Sequence, residues 1–509
     1  MRYTVSIDQG TTGTRCLVVD EEGRPVSWAY KEHANIYPRP GWVEQDPLEI
    51  LEATKAVLRE ALRGVNLEAG SVAGVGVTNQ RETTVLWNKR SGIPVYNTIV
   101  WQDTRTRNRC DELRAQGLEE DTIHRLTGLY ASTYFSATKI EWALKNVHKA
   151  QETARKGELA FGTIDSWLIW NMTRRTNGGA HVTDYSNASR TMLFDIHKLD
   201  WSDELLSLFG IPDDIMPDPL PSIYSDYYGF TDLWGILGKE VPVCGDLGDQ
   251  QAALVGQACY SVGDAKNTYG TGCFLLQNIG RTPKLSRHGL LTTVAYSSER
   301  GKATYAMEGS IAIAGSLLKW LAENLGIISS PRESGEVASR TGEEGSAGVY
   351  LVPAFSGLFA PYWDPTARGV IIGLSAYTRR EHIIQAALES ICWQVYDVVE
   401  SIEKDTGIRL SVLKVDGGAS MNDYLMQLQA DILGCEVVRP EFAETTSLGA
   451  AFAAGLASDV WEDFETLRSL WRESAKFKPT WPVERRISGL KGWRAALNRA
   501  RGWLREVES

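Results

Sequence analysis

"SIDQGTTGTRCLVVD", residues 6 to 20, sets a carboxylate, two glycines, three threonines and an arginine between two β-branched runs. Those runs, "YTVSI" and "CLVVD", have the composition of strands, so the stretch reads as strand, turn, strand. Taken alone, the turn fits a plain polar hairpin, because Gly and Thr suit turns for backbone reasons. It also fits a loop whose glycines let backbone N–H groups approach an anion. Asp8, at its start, is the right kind of group to hold a hydrated Mg²⁺, which takes one or two carboxylates plus phosphate oxygens and water. The choice depends on the rest of the chain.

Downstream of the hairpin, "EEGRP" predicts a second turn and "VSWAYKE" a third strand. "DPLEILEATKAVLREAL" opens on an Asp-Pro helix start and puts Ile50, Leu51, Thr54, Leu58, Ala61 and Leu62 on one face. "VAGVGVTNQ" reads as a buried strand that ends in the polar cluster "NQRETT". Three antiparallel strands followed by alternating helix and strand imply an α/β layer with a mixed sheet. The second half follows the same plan: "DAKNTYGTGCFLLQNIG" is again strand, Gly/Thr turn, strand, and "HGLLTTVAYSS", "KATYAMEGSI" and "LKVDGG" supply further strands. No repeat is visible residue by residue, so the symmetry is one of topology. The chain divides into residues 1–250 and 251–509, with "VCGDLGDQQAALVGQ" at the join, and two such halves would face one another across a cleft. From about residue 456 a helical tail is expected, with Leu490, Trp493, Leu497, Ala500 and Leu504 on one face and arginines on the other.

At 509 residues the chain is too long for one core. Hydrophobic residues at 43% and charged residues at 23% are those of a soluble globular protein, and a net charge of −11 argues against nucleic acid as the main partner. The seven cysteines are scattered, without a Cys-x-x-Cys pair or zinc spacing, and read as buried thiols of a reducing cytosol. There is no signal-peptide pattern and no apolar run long enough to span a membrane. A cytoplasmic protein is expected.

Four short segments carry chemistry: residues 8–15 "DQGTTGTR", 248–250 "GDQ", 270–272 "GTG" and 416–420 "DGGAS". The first and third offer phosphate-holding turns, the second a carboxylate beside glycine, and the fourth a surface of small residues for a ring or ribose. G-x-x-x-x-G-K-[ST] is absent, and "GTGCFL" does not complete G-x-G-x-x-G, so neither a P-loop nor a dinucleotide site is expected.

These segments, with "TNQRETT", "IVWQDTRT", "TYFSATKI", "FGTIDSWLIW", "HVTDYSNASRTMLF", "PAFSGLFAPYWDPTARG" and "KVDGGASMNDYLMQ", resemble the motifs of the carbohydrate-kinase family that shares the actin-like ATPase fold. The resemblance is to its glycerol-phosphorylating branch and runs from about residue 3 to 460. It implies two actin-like (ribonuclease H-like) α/β domains with mixed sheets flanking a central cleft, ATP and Mg²⁺ as cofactors, glycerol as acceptor, and a homo-oligomer, dimer or tetramer. It implies that Arg81, Glu82 and Tyr134 contact the polyol through the Arg fork, the Glu acceptor and the phenol. Trp101 and Phe274 would form apolar walls against its carbons. Asp249 would be the general base and, with Asp8, a Mg²⁺ carboxylate, while Gln250 would bond to polyol or nucleotide. Thr11, Thr12, Gly13, Arg15, Gly270 and Thr271 would hold phosphates, and Gly315, Lys319, Gly418 and Asn422 would flank the base and ribose. Three features depart from the family pattern: Lys319 where a glutamine is common, Phe359 where a glycine is common, and "YYGFTDLWGILGKEVPV" (227–243) in place of a basic loop tied to sugar-phosphate feedback. Two other readings stay open, a kinase of another polyol or ketopentose and an ATPase that switches binding to a protein partner.

Overall fold

The computed structural model describes residues 2–65 and 71–507. The opening stretch is a hairpin: β1 (Tyr3–Gln9) pairs antiparallel with β2 (Gly13–Asp20), and β2 with β3 (Pro25–Glu32). Helix α1 (Pro47–Arg63) follows; Asp46 caps it by accepting the Leu48 N–H at 2.8 Å, and Pro47 takes the first helical position, where no N–H is needed. The face expected from its periodicity is buried, with Ala53 and Val57 added. β4 (Val72–Asn79), β5 (Gly229–Thr231) and β6 (Val241–Gly248) complete a six-stranded mixed sheet in the order β5-β6-β4-β1-β2-β3.

The second sheet has seven strands. They are β7 (Ala265–Tyr269), β8 (Cys273–Gly280), β9 (Leu291–Glu299), β10 (Lys302–Ile311), β11 (Val412–Asp416), β12 (Glu436–Pro440) and β13 (Glu473–Phe477), in the order β9-β10-β8-β7-β11-β12-β13. Again an antiparallel hairpin (β7–β8) leads into parallel neighbours (β7–β11–β12), and an antiparallel strand closes the edge. The repeated plan read from the sequence is therefore present in both sheets.

Two short helices join the halves. α2 (Asp249–Gly256) follows β6, and α3 (Thr445–Ala457) follows β12, at equivalent points of the two plans. α3 lies on the first sheet against β1, β4 and β6, and α2 reaches the second sheet at β7 and β8. The two helices cross at glycine. A Cβ on Gly449 would stand 1.8 Å from the Ala252 carbonyl oxygen, and one on Gly256 would stand 2.0 Å from that of Thr445. Backbone thus meets backbone where any side chain would hold the helices apart.

The tail differs from expectation in two ways. Residues 473–477 form the edge strand β13, so this region is not all helix and is built into the second sheet. The expected amphipathic helix spans Val483–Ala500, buries Trp493, Leu497 and Ala500, and then stops. Gly502 turns left-handed (φ +68°), and Leu504 sits on a separate short helix, Trp503–Val507, off the face assigned to it. The periodicity carried through 501–502 because Arg-Gly does not interrupt an apolar pattern. All seven cysteines are free and six are buried. Among the described residues no helix is long and apolar enough to cross a membrane.

Substituting Gly449→Ala is expected to force the two crossing helices apart, at roughly 1–3 kcal/mol. Thermal unfolding should show a midpoint lowered by several degrees; an unchanged midpoint would refute the close crossing.

Candidate functional site

Parallel register builds the first wall of the cleft. Gln9 of β1 is level with Asn79 of β4, and Asn79 with Gly248 of β6. The three strand ends therefore deliver the 8–15 turn, the "NQRETT" cluster and Asp249 side by side. The second sheet repeats this: Thr268 of β7 is level with Asp416 of β11, which sets the "GTG" turn beside "DGGAS". Antiparallel pairing also places Thr268, Phe274 and Ser310 abreast, and Lys266, Leu276 and Glu308 abreast one pleat away, on the same sheet face.

The two walls meet at a buried chain of charges. Arg81 donates Nη1–H to Glu308 Oε2 at 2.6 Å and Nη2–H to Oε1 at 2.9 Å, and its Nε lies 3.1 Å from Asp249 Oδ1. Arg190 donates Nε–H to Glu82 Oε1 at 2.7 Å and Nη2–H to Glu308 Oε1 at 3.2 Å. All four of Arg81, Glu82, Arg190 and Glu308 are buried. Burial alone would raise the Glu308 carboxyl, but the Arg190 and Arg81 charges outweigh it and hold it down to about 2. Glu82 has less compensation, and burial raises its carboxyl. Its backbone is left-handed (φ +62°), with its carbonyl accepting from the Ser136 hydroxyl at 2.9 Å. The fork of Arg81, expected to face two polyol hydroxyls, is thus held by Glu308.

Asp249 opens α2. Its Oδ1 accepts the Gln250 N–H at 2.7 Å and pairs with the Arg81 charge, with Nε 3.1 Å away, and no described residue donates a hydrogen bond to its Oδ2. Gln250 is buried, and its side-chain carbonyl accepts from Lys266, whose ammonium also reaches the Thr268 hydroxyl at 2.9 Å. Burial pushes the Lys266 amine down to about 8. Trp101 donates its indole N–H to the Thr11 hydroxyl at 2.9 Å and meets Tyr134 edge-on at 5.3 Å. Burial raises the Tyr134 phenol. Phe274 stands on the opposing sheet face beside Ser310. Beyond Trp101 and Tyr134 a cavity of about 690 Å³ opens between the halves, and Phe359 and Trp363 line its far side, stacked at 5.9 Å.

On the phosphate side, the Gly10 N–H closes the first turn onto the Gly13 carbonyl at 2.9 Å. A Cβ at Gly13 would strike the Tyr30 hydroxyl at 2.5 Å. Thr12 is exposed at this tip, and Arg15 pairs with Glu444 just before α3. Burial pushes the Asp8 carboxyl up to about 6, Asp249 adds to the rise, and the Ser447 hydroxyl donates to Asp8 Oδ2 at 2.6 Å. Two carboxylates that repel each other across the cleft floor are suited to a shared divalent cation. Among the described residues no group of three or more His, Cys, Asp or Glu is placed to hold a metal ion.

Three backbone segments converge on the other side. The Gly315 N–H donates to the Gly270 carbonyl at 3.0 Å, and the Thr271 carbonyl accepts from Ala314 and Ser316. A Cβ on Gly315 would be 2.5 Å from the Gly270 oxygen and 4.0 Å from the Ala419 Cβ, while one on Gly418 would meet nothing within 4 Å. Gly270, Thr271, Gly315 and Gly418 are therefore brought together around open space. Lys319 lies one turn into the helix Gly315–Glu323, exposed, 3.7 Å from Glu323. Asn422 caps the following helix through Leu425 and donates to the Ser334 hydroxyl at 3.1 Å, so its polar atoms are already bonded.

Glu308, Arg190, Lys266 and Ser447 are absent from the set expected from sequence. Arg190 lay inside the quoted motif "HVTDYSNASRTMLF", and Lys266 inside the strand-turn-strand stretch "DAKNTYGTGCFLLQNIG". Glu308 is in "KATYAMEGSI", where alternation marks it only as one pleat position among others.

Two family descriptions match the chain: the N-terminal domain of the FGGY family of carbohydrate kinases over residues 3–256, and its C-terminal domain over 265–458. The chain is 52% identical to a glycerol kinase of Clostridium botulinum over 502 residues, covering 99% of each chain. It is 52% identical over 503 residues to glycerol kinase 2 of Thermotoga maritima, again covering 99% of each. The crystal structure of Plasmodium falciparum glycerol kinase with ADP superposes with a TM-score of 0.91 at 37% identity, covering 98% of each chain. A xylulose kinase of Lactobacillus acidophilus shares the fold, with a TM-score of 0.85 at 20% identity and 98% coverage of each. Two mixed sheets around one cleft, and a likeness that spans the whole chain, lead to one conclusion: the chain belongs to the FGGY family of carbohydrate kinases.

Proposed function

We propose that the protein is an ATP:glycerol 3-phosphotransferase that uses Asp249 as general base. The observation that supports this reading is Asp249 at the strand end beside Arg81 and the 8–15 turn, with Oδ1 paired to Arg81 and bonded to the Gln250 N–H and no described residue bonded to Oδ2. A terminal hydroxyl of glycerol gives its proton to Oδ2 while its oxygen attacks the γ-phosphorus. The new O–P bond forms as the bond to the β–γ bridging oxygen breaks, and the products are sn-glycerol 3-phosphate and ADP. Glu82 and Tyr134 orient the remaining hydroxyls, and Trp101 and Phe274 cover the carbon chain. The exposed Thr12 and Thr271 tips and Arg15 receive phosphate oxygens, with Arg15 exchanging Glu444 for phosphate. Mg²⁺ held by Asp8 and Asp249 would neutralise charge developing on the transferred group. The halves close on the substrates and keep water from the γ-phosphate.

A second reading, a larger polyol or a ketopentose as acceptor, has one observation in its favour: the cavity beyond Trp101 and Tyr134 is larger than glycerol needs. A coupled ADP-release assay across glycerol, longer polyols, xylulose and ribulose decides between them. Glycerol is expected to be preferred, and a preference for a ketopentose would replace this assignment.

Asp249→Asn is expected to lower kcat at least about 10²-fold while leaving glycerol binding nearly intact. Near-wild-type turnover would remove Asp249 from the role of base. Stripping divalent cations with EDTA should abolish transfer and added Mg²⁺ restore it, read as glycerol 3-phosphate formed; transfer that persists in EDTA would argue against the Asp8–Asp249 cation.

A further inference from the structure

Glu308 lies on the second sheet, 227 residues along the chain from the arginine it holds. It is wholly buried, and its carboxylate takes both prongs of the Arg81 fork together with one N–H of Arg190. The Ser310 hydroxyl adds a longer bond at 3.3 Å. Along the cleft floor the charges alternate: Glu82, Arg190, Glu308, Arg81, then Asp249.

This arrangement settles which edge of Arg81 faces Asp249. A guanidinium pairs most strongly with a carboxylate through two parallel N–H groups. Glu308 occupies the Nη1–Nη2 edge, so Asp249 lies on the Nε side, where its Oδ1 forms an ion pair with Arg81 at 3.1 Å. Without Glu308 the fork would keep only its 3.2 Å bond from Nη1 to the Gln251 side-chain carbonyl, and the stronger pull of a charged partner would turn it onto both oxygens of Asp249. The carboxylate would then be a weaker proton acceptor, and Arg81 would leave the acceptor pair. Packing alone does not account for Glu308, because apolar side chains fill a buried site at least as well as an ion-pair network does.

We propose that Glu308 is a positioning residue: from the opposite half it fixes the plane of Arg81, keeping Asp249 Oδ2 open and the Arg81–Glu82 pair assembled for the acceptor. Arg190 supports this by tying Glu82 to the same carboxylate. The inference rests on the reading of Asp249 as base given above.

The test is steady-state kinetics of full-length Glu308→Gln, which keeps the shape and removes the charge. kcat is expected to fall at least about tenfold, the scale of misplacing a reacting group, and the KM for glycerol to rise several-fold. The KM for ATP should stay within about twofold, since the charge chain lies on the acceptor side. Glu308→Asp, which keeps the charge but withdraws it by one methylene, should recover part of both losses. If Glu308→Gln does not fold, Glu308→Asp carries the test alone, with the same changes in smaller measure. A residue that served only packing would lower the unfolding midpoint without separating the two KM values. Kinetics within about twofold of wild type, or equal rises in both KM values, would overturn the proposal. Wild-type protein inert toward glycerol would instead overturn the functional reading, and this inference with it.

Discussion

How closely α2 and α3 approach sets the geometry of the cleft. Each helix leaves the end of a parallel strand and carries polar side chains in its first turn that reach the cleft: Asp249 on α2, Thr445 and Ser447 on α3. Ser447 bonds to Asp8 of the first sheet, and Thr445 donates to Asp416 of the second at 2.6 Å. Glycines at the crossing remove the side chains that would otherwise space the helices, so these first turns stay within reach of both sheets. An added methyl group there would displace Asp249, the Asp8 carboxylate and the two Gly/Thr turns relative to one another.

Electrostatics in the cleft then follow from burial. Charges removed from water must be paired, and the alternating chain from Glu82 to Asp249 does this across the two halves. Where no full partner is present the groups shift instead. The Asp8 carboxyl rises to about 6 and the Lys266 amine falls to about 8, each chiefly through burial. The chain from Glu82 to Asp249 thus sets two guanidinium groups against three carboxylates, while at Asp8 the Ser447 hydroxyl and the Arg15 charge offset burial only in part.

The sequence made the hairpins, the first helix with its Asp-Pro start, and the two-fold plan legible, because each rests on local periodicity and turn chemistry. The segments that converge on the cleft were legible as motifs. The partners within it were not. Glu308 and Arg81 lie in different halves, and a single sequence carries no sign of which distant strand faces which loop. Asn422, expected beside the base and ribose, also caps the following helix through the Leu425 N–H, a local role that its residue type suits. The break at Arg501–Gly502 escaped notice because apolar spacing does not register a left-handed turn.

Glu82 has one further consequence. Its left-handed backbone is a conformation in which most side chains cost about 1 kcal/mol or more, and in which glycine is at ease. The neighbouring bonds from Ser136, Arg190 and Thr84 hold it there. Relieving that backbone with glycine would also remove the carboxylate that pairs with Arg190 and leave a buried guanidinium short of its partner. At this residue a strained backbone and a buried ion pair are coupled, so loosening the one would unmake the other.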